Sequence, residues 1–408
     1  MSAPLFYDPT DPAIRANPYP LYARLRDEDP LHWSPSLKSW MVTRYADVRR
    51  VLGDPALSSD RISPFYKSLP GPLQAQVAEL VQILGRWLVF RDPPDHARLR
   101  APMQRAFTAT AMAAIKPNVE GVVVMLLDQL VEHDEADIVR DFALPLPAYV
   151  IMDMLGVPRA MLASMREWSD DIRLFIGTAR GVPGKYARAR HGVLQMAAYF
   201  RALIEDRKRE PRADVLTSLV NARDAEDAAF DDEELVAAAI LFLFGGHETT
   251  TNLLGNATLA LLRHPAQRDH LVADPTLVPS AIEEFLRYDG SSLSMVRIVT
   301  TEHQIAGKLL QPGDRIYAMQ QAANRDPVEF PAPDDCNLAR TPNRHIAFGF
   351  GPHFCLGAPL ARMEAQIALP ALHSRYPEMQ LLQDTPRWFD SMNMRGMEAL
   401  PVKLGRRH

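Results

Sequence analysis

Apolar residues recur along most of this chain at the three- and four-residue spacing of amphipathic helices. The pattern predicts helices over Tyr19–Asp29, Tyr45–Leu52, Leu73–Leu84, Asp95–Phe107, Pro117–His133, Pro147–Leu155, Arg159–Ile176, Lys185–Arg207, Asp231–His264, Ala281–Tyr288 and Ala358–Leu369. Two of these open on a proline, which the first helical position tolerates, whereas Pro102 sits inside its segment and predicts a kink. Strand signals are fewer: Lys38–Thr43, strand-and-turn segments from Leu293 to Met319, and a mixed tail from Met379 to Leu404. The rest of Ile62–Phe90 is aromatic and irregular, and Gly177–Gly184, with Gly181 and Pro183, reads as a loop. The fold class expected is mainly α with minor β.

The longest predicted helix begins Asp231-Asp232-Glu233-Glu234. Acids suit a helix N-terminus, and the Asp-x-x-Glu spacing forms a capping box. Its centre, Phe244-Gly245-Gly246-His247-Glu248-Thr249-Thr250, breaks helix rules. Two glycines cost about 1 kcal/mol each relative to alanine. A Glu-Thr pair in an apolar helix is costly unless hydrogen-bonded or wetted. Such violations are expected at functional sites. The glycines would let the helix bulge; a kinked helix with a capped polar cluster is the bland alternative.

Composition narrows the class. A length of 408 residues suggests roughly two or three domains, but no Gly/Ser linker or charge block divides the chain, so one domain over 1–408 is expected. The net charge of −5 argues against a nucleic-acid partner. The 34 prolines punctuate the periodic segments. With only Cys336 and Cys355, no disulfide framework exists. The N-terminus lacks a signal-peptide pattern, and no run of about 18 apolar residues is evident. A soluble, cytoplasmic protein is expected, with no membrane partner.

The most informative segment is Phe348-Gly349-Phe350-Gly351-Pro352-His353-Phe354-Cys355-Leu356-Gly357. Its glycines allow positive φ and close approach to a flat object. A helix starting just after Cys355 directs N–H groups and positive dipole at the sulfur, which favours a thiolate. One thiolate cannot complete a tetrahedral zinc site, but it can be the axial ligand of a haem iron. A buried, inert cysteine is the other reading.

The spacing Phe348-x-x-Gly351-x-x-x-Cys355-x-Gly357 resembles the haem-binding loop of cytochrome P450. The resemblance covers essentially the whole chain. It implies the family's triangular helical prism with a small β-rich region, haem b (iron protoporphyrin IX), and Cys355 as the metal ligand, with Phe348, Gly351 and Gly357 shaping the cofactor loop. It implies that Glu248 and Thr249 handle protons during oxygen activation, which makes them the catalytic pair. His247 is assigned to packing or solvent. Glu284 and Arg287, at i and i+3 on one helix face, with Arg340, match the family's structural ion-pair set. Cys336 departs from the pattern, standing where many relatives carry an aromatic, and is read as a bystander thiol.

By position, His96, Arg100, Arg297 and His353 match the partners of the haem propionates; a surface charge is the alternative for each. Leu241, Phe244, Gly245, Leu293 and Met295 would line the substrate pocket, with a residue near Met392 or Met394 closing one side. Ile62–Phe90 and Gly177–Gly184 would form the entrance and its lid. The implied activity is insertion of one oxygen atom from O2 into a hydrophobic small molecule. Electrons would come from an external ferredoxin and an NAD(P)H-dependent ferredoxin reductase, docking on the cysteine side near Arg98, Arg105, Arg344 and Arg362. The competing readings are an H2O2-driven peroxygenase and a non-catalytic haem-thiolate sensor.

Overall fold

The computed structural model describes residues 5–177, 182–223 and 230–406. The chain divides into two compact units: residues 1–57, 119–146 and 249–408 form one, and 58–118 with 147–248 form the other. Both are mainly helical.

The first unit carries the principal sheet. Leu31–Ser34 pairs antiparallel with Ser39–Val42, placing Trp33 opposite Trp40. Ser39–Val42 runs parallel to Arg315–Ala318, which in turn pairs antiparallel with Met295–Val299. Both faces are buried. Val42, Ile316 and Ala318 pack with Val48, Leu310, Phe330 and Ile346 on one side. Met41, Tyr317 and Val296 pack with Tyr22, Leu25 and Met319 on the other. Burial on two faces gives apolar runs instead of clean alternation. That is why the sequence showed Ser39–Val42 and its partners as short apolar stretches. The helices Tyr45–Gly53, Val278–Asp289 and Ala358–Arg375 belong to this unit.

In the second unit, Leu162–Ile176 and Lys185–Arg209 run side by side. Arg188 reaches Asp171 at 2.7 Å across them. Several short helices escaped the sequence reading: Ile62–Lys67 here, and Pro12–Ala16, Pro265–Ala273 and Gln320–Ala323 in the first unit. Val215–Arg223 was also missed.

The helix expected to open at Pro117 begins eight residues earlier and spans Ala109–Leu130, with Pro117 inside it. Proline removes one N–H and strains the preceding turn. Tertiary burial of Val119, Val122, Val123, Leu126 and Leu130, at helical spacing, outweighs that cost. By length and mean hydropathy this helix is long and apolar enough to cross a membrane, although Lys116, Asn118 and Glu120 interrupt its apolar run. It is also tied into the fold, since the Tyr376 hydroxyl donates to the Leu127 carbonyl at 3.2 Å.

The long helix spans Asp232–Arg263. Its capping box forms as read: the Glu234 N–H donates to Asp231 Oδ1 at 2.6 Å, and the Asp231 N–H to Glu234 Oε2 at 3.0 Å. The helix runs through Gly245 and Gly246 without interruption, so the expected bulge is not seen. The glycines serve another purpose. A Cβ on Gly246 would lie 2.8 Å from Ile151 Cγ1, so Gly246 allows a close helix approach.

Candidate active site

Cys355 lies on a turn whose backbone is fixed at several points. The Cys355 N–H donates to the Phe348 carbonyl at 2.9 Å, folding the loop back on itself. Gly349 and Gly351 have φ of 78° and 75°, the left-handed region that glycine enters at no steric cost. Gly351 also lies against the backbone of Tyr45–Gly53; a Cβ there would sit 2.9 Å from the Gly53 Cα. Gly357 caps the helix Ala358–Arg375. The cysteine is half-buried. His353 lies in the short 3₁₀ turn just before it.

These residues fit a haem. The turn offers one thiol, and no group of three or more His, Cys, Asp or Glu able to hold a metal occurs among the described residues. A single protein thiolate suits an iron whose remaining protein-independent ligands come from a porphyrin. Beside the turn, Met295 Sδ would lie 3.6 Å from a Cβ on Gly349, which puts the strand Met295–Val299 against the loop. Arg297 on that strand is buried and donates to the Leu52 carbonyl at 3.4 Å and the Val296 carbonyl at 3.0 Å. Leu293 is buried just before the strand.

Behind the turn lies a fully buried ion-pair network. Arg287 Nε and Nη2 each donate to Glu284 at 2.8 Å, and neither side chain has solvent exposure. Arg287 also donates to the carbonyls of Asn324, Pro333 and Asp335. Arg340 Nε reaches Glu284 at 3.1 Å, and the Asn337 N–H and Asn343 Nδ2 complete the set. Glu284 thus ties the segment 333–343 to the helix Val278–Asp289. Cys336, within that segment, is a buried thiol whose pKa is pushed up to about 12, first by burial and then by Glu284.

On the long helix, Glu248 and Thr249 are consecutive and half-buried. Burial raises the Glu248 pKa above the ordinary carboxylate range, against the pull of His247 and Arg173. Arg173 Nε stands 3.9 Å from Glu248, and His247 Nε2 3.8 Å. His247 itself is buried, and its Nδ1 pairs with the Leu243 carbonyl at 2.7 Å, a contact within its own helix. Phe244 is buried against Trp87, ring centroids 5.4 Å apart, and Leu241 is half-buried.

His96 and Arg100 share a face of the helix Asp95–Gln104; His96 is buried and Arg100 half-buried. Phe65, in the first segment expected at the entrance, lies 5.4 Å from Phe175 and 6.3 Å from Tyr186, which flank the second segment on either side. Residues 178–181 of the expected lid lie outside the described residues. Met392 is buried, with its carbonyl accepting from the Ser294 hydroxyl at 2.7 Å, and Met394 bridges to Ser292.

The basic residues expected to face a redox partner divide into two kinds. Arg105 and Arg344 are exposed. Arg98 instead makes two 2.8 Å bonds to Glu234, which raise its pKa further. Arg362 makes 2.7 and 2.8 Å bonds to Glu283. Neither is an independent solvated charge.

Sequence reading missed three charged groups. Arg173 carried no signal, because its spacing from Glu248 is a tertiary fact. Glu283 was hidden beside the more conspicuous Glu284. Glu364 is fully buried near Thr250, with neither oxygen in hydrogen-bonding geometry. Burial pushes its pKa up to about 8, against a smaller pull from the Thr250 hydroxyl. A carboxylate inside the Ala-rich run after Cys355 was the available signal.

The chain belongs to the cytochrome P450 family, whose model matches residues 38–403. It is an enzyme of the P450 monooxygenase class. Among curated relatives it is 37% identical to the vitamin D(3) 25-hydroxylase of Pseudonocardia autotrophica, over 96% of this chain and 94% of that protein. It is 33% identical to the polyketide biosynthesis cytochrome P450 PksS of Bacillus subtilis, over 98% and 99%. Among solved structures, P450BioI in complex with a hexadec-9Z-enoic acid-ligated acyl carrier protein matches with a TM-score of 0.90 at 33% identity, covering 96% of this chain and 99% of that one. The family implies a haem cofactor, and its members use redox partners and hydrophobic substrates.

Proposed function

We propose that this enzyme inserts one oxygen atom from O2 into a C–H bond of a hydrophobic small molecule, or performs a related oxidation. The cofactor is haem b, and the electrons come from a ferredoxin and its NAD(P)H-dependent reductase. The chain is a single haem domain acting in the cytoplasm. The observation that carries the reading is the Cys355 turn, a lone half-buried thiol pinned through Phe348, in a chain that also sets a half-buried acid of raised pKa next to Thr249.

Cys355 would hold the iron as thiolate, with Phe348, Gly351 and Gly357 keeping the loop in shape. Arg100, Arg297, His96 and His353 would hold the propionates, where an arginine fork suits a carboxylate. Haem, when bound, supplies the oxygen and electron chemistry. The chain supplies position and protons. Glu248, whose raised pKa brings it nearer neutrality, can hold a proton and release it toward the Thr249 hydroxyl, as a general acid should. Leu241, Phe244, Gly245, Leu293 and Met295 would present an apolar lining that excludes water and orients the substrate.

The test is a screen of hydrophobic compounds for a Soret shift, followed by NADH consumption with surrogate ferredoxin and reductase. The reading expects product only when O2 and both electron carriers are present. Equal product formation from H2O2 alone would replace it with the peroxygenase alternative.

A further inference from the structure

The helix Val278–Asp289 presents two adjacent acids that do different work. Glu284 turns inward to Arg287 and Arg340. Glu283, one residue earlier and about 100° around the helix, meets Arg362 and His345. Arg362 Nε donates to Glu283 Oε1 at 2.7 Å and Nη2 to Oε2 at 2.8 Å, a two-point fork. His345 Nε2 pairs with Glu283 Oε2 at 2.9 Å. The guanidinium held this way lies over the Phe348 ring, 4.6 Å from its centroid. The His345 and Phe354 rings stand 6.2 and 6.3 Å from Phe348. Phe348 in turn accepts the Cys355 N–H through its carbonyl. An unbroken sequence of contacts therefore runs from Glu283 through Arg362 and Phe348 to the cysteine.

We propose that Arg362 is a positioning residue for Cys355: clamped by Glu283 and set over the Phe348 ring, it holds the cysteine turn in its ligating shape. Both charges are partly exposed, 31% and 27% for the side chains of Arg362 and Glu283, so the pair adds little as an ion pair alone. Its value is geometric. A bidentate fork fixes the plane of a guanidinium, and a fixed plane can press on an aromatic face. Lysine keeps the charge but supplies neither fork nor plane. The proposal rests on the P450 reading for what Cys355 ligates, whereas the clamp itself is a property of the polypeptide.

The experiment compares Arg362→Lys, Arg362→Gln, Glu283→Gln and the double variant Glu283→Gln/Arg362→Gln. In cofactor-free protein, the rate of Cys355 alkylation by iodoacetamide is followed by mass spectrometry, with buried Cys336 as the internal control. In haem-loaded protein, the reduction potential and the conversion of the ferrous–CO complex from its thiolate form to the inactive form are followed. The clamp predicts severalfold faster Cys355 alkylation and faster conversion in every single variant, Arg362→Lys included, with the double variant no worse than the worst single one. Wild-type behaviour of Arg362→Lys would show that only charge matters and would overturn the proposal. Additive effects in the double variant would overturn it too, because two residues acting as a unit are not additive. Should Arg362→Gln fail to fold, the Arg362→Lys comparison still decides. Alkylation in cofactor-free protein separates failure of the clamp from failure of the haem reading.

Discussion

Glu284 accepts from Nε and Nη2 of Arg287, each at 2.8 Å, and neither side chain touches solvent. Removing one partner leaves a buried charge uncompensated, at about 3–5 kcal/mol. That is a large share of a domain's stability. Glu284→Gln and Arg287→Gln are therefore expected to lose most folded, haem-binding protein. Soluble yield and thermal unfolding of purified material read this directly; wild-type melting in either variant contradicts the assignment.

Thr249 is assigned to protons, not to scaffold. Thr249→Ala is expected to keep the fold and the haem while product formed per NADH consumed drops severalfold. Simultaneous product and NADH assays measure the ratio. Unchanged coupling removes Thr249 from the relay.

Glu248 is held between burial, which raises its pKa, and Arg173 and His247, which lower it. Deleting Arg173 removes one of the lowering influences, so the pKa must rise further. Arg173→Ala is expected to move the Glu248-dependent limb of the rate–pH profile to higher pH, with little change in haem content. A profile in register with wild type shows that Arg173 does not act through Glu248.

Glu364 is neutral up to about pH 8 in the folded state, against an ordinary value of 4.5. Between those values the folded protein binds more protons than the unfolded chain, so stability falls as pH rises through that window. Glu364→Gln is expected to flatten the dependence and to stabilise the protein near pH 8. Denaturant unfolding at several pH values checks the sign, and equal slopes in both proteins would refute it.

Cys355→Ser is expected to abolish the carbon-monoxide spectrum of a thiolate-ligated haem. Persistence of that spectrum would leave Cys336 as the ligand, which its burial and raised pKa oppose.

Much of the fold was legible because long amphipathic helices announce themselves. Asp232–Arg263 and Lys185–Arg209 fell within two residues of their expected ends. What failed was local. Pro117 read as a helix start because propensity argues so, but the apolar stripe of Val119 to Leu130 overrides it. The cysteine turn and the Glu284–Arg287 spacing were legible because their chemistry is written in consecutive residues. Partners set by tertiary folding, such as Arg173 with Glu248 or Glu283 with Arg362, leave no trace in spacing.

The two glycines of the long helix are unequal. Gly246 meets Ile151, whereas a methyl on Gly245 would find only Leu241 Cδ1, 3.9 Å away. Mutational libraries can therefore vary Gly245 among small side chains, while Gly246 stays constant as a scaffold requirement. One motif thus offers an adjustable position beside an immovable one.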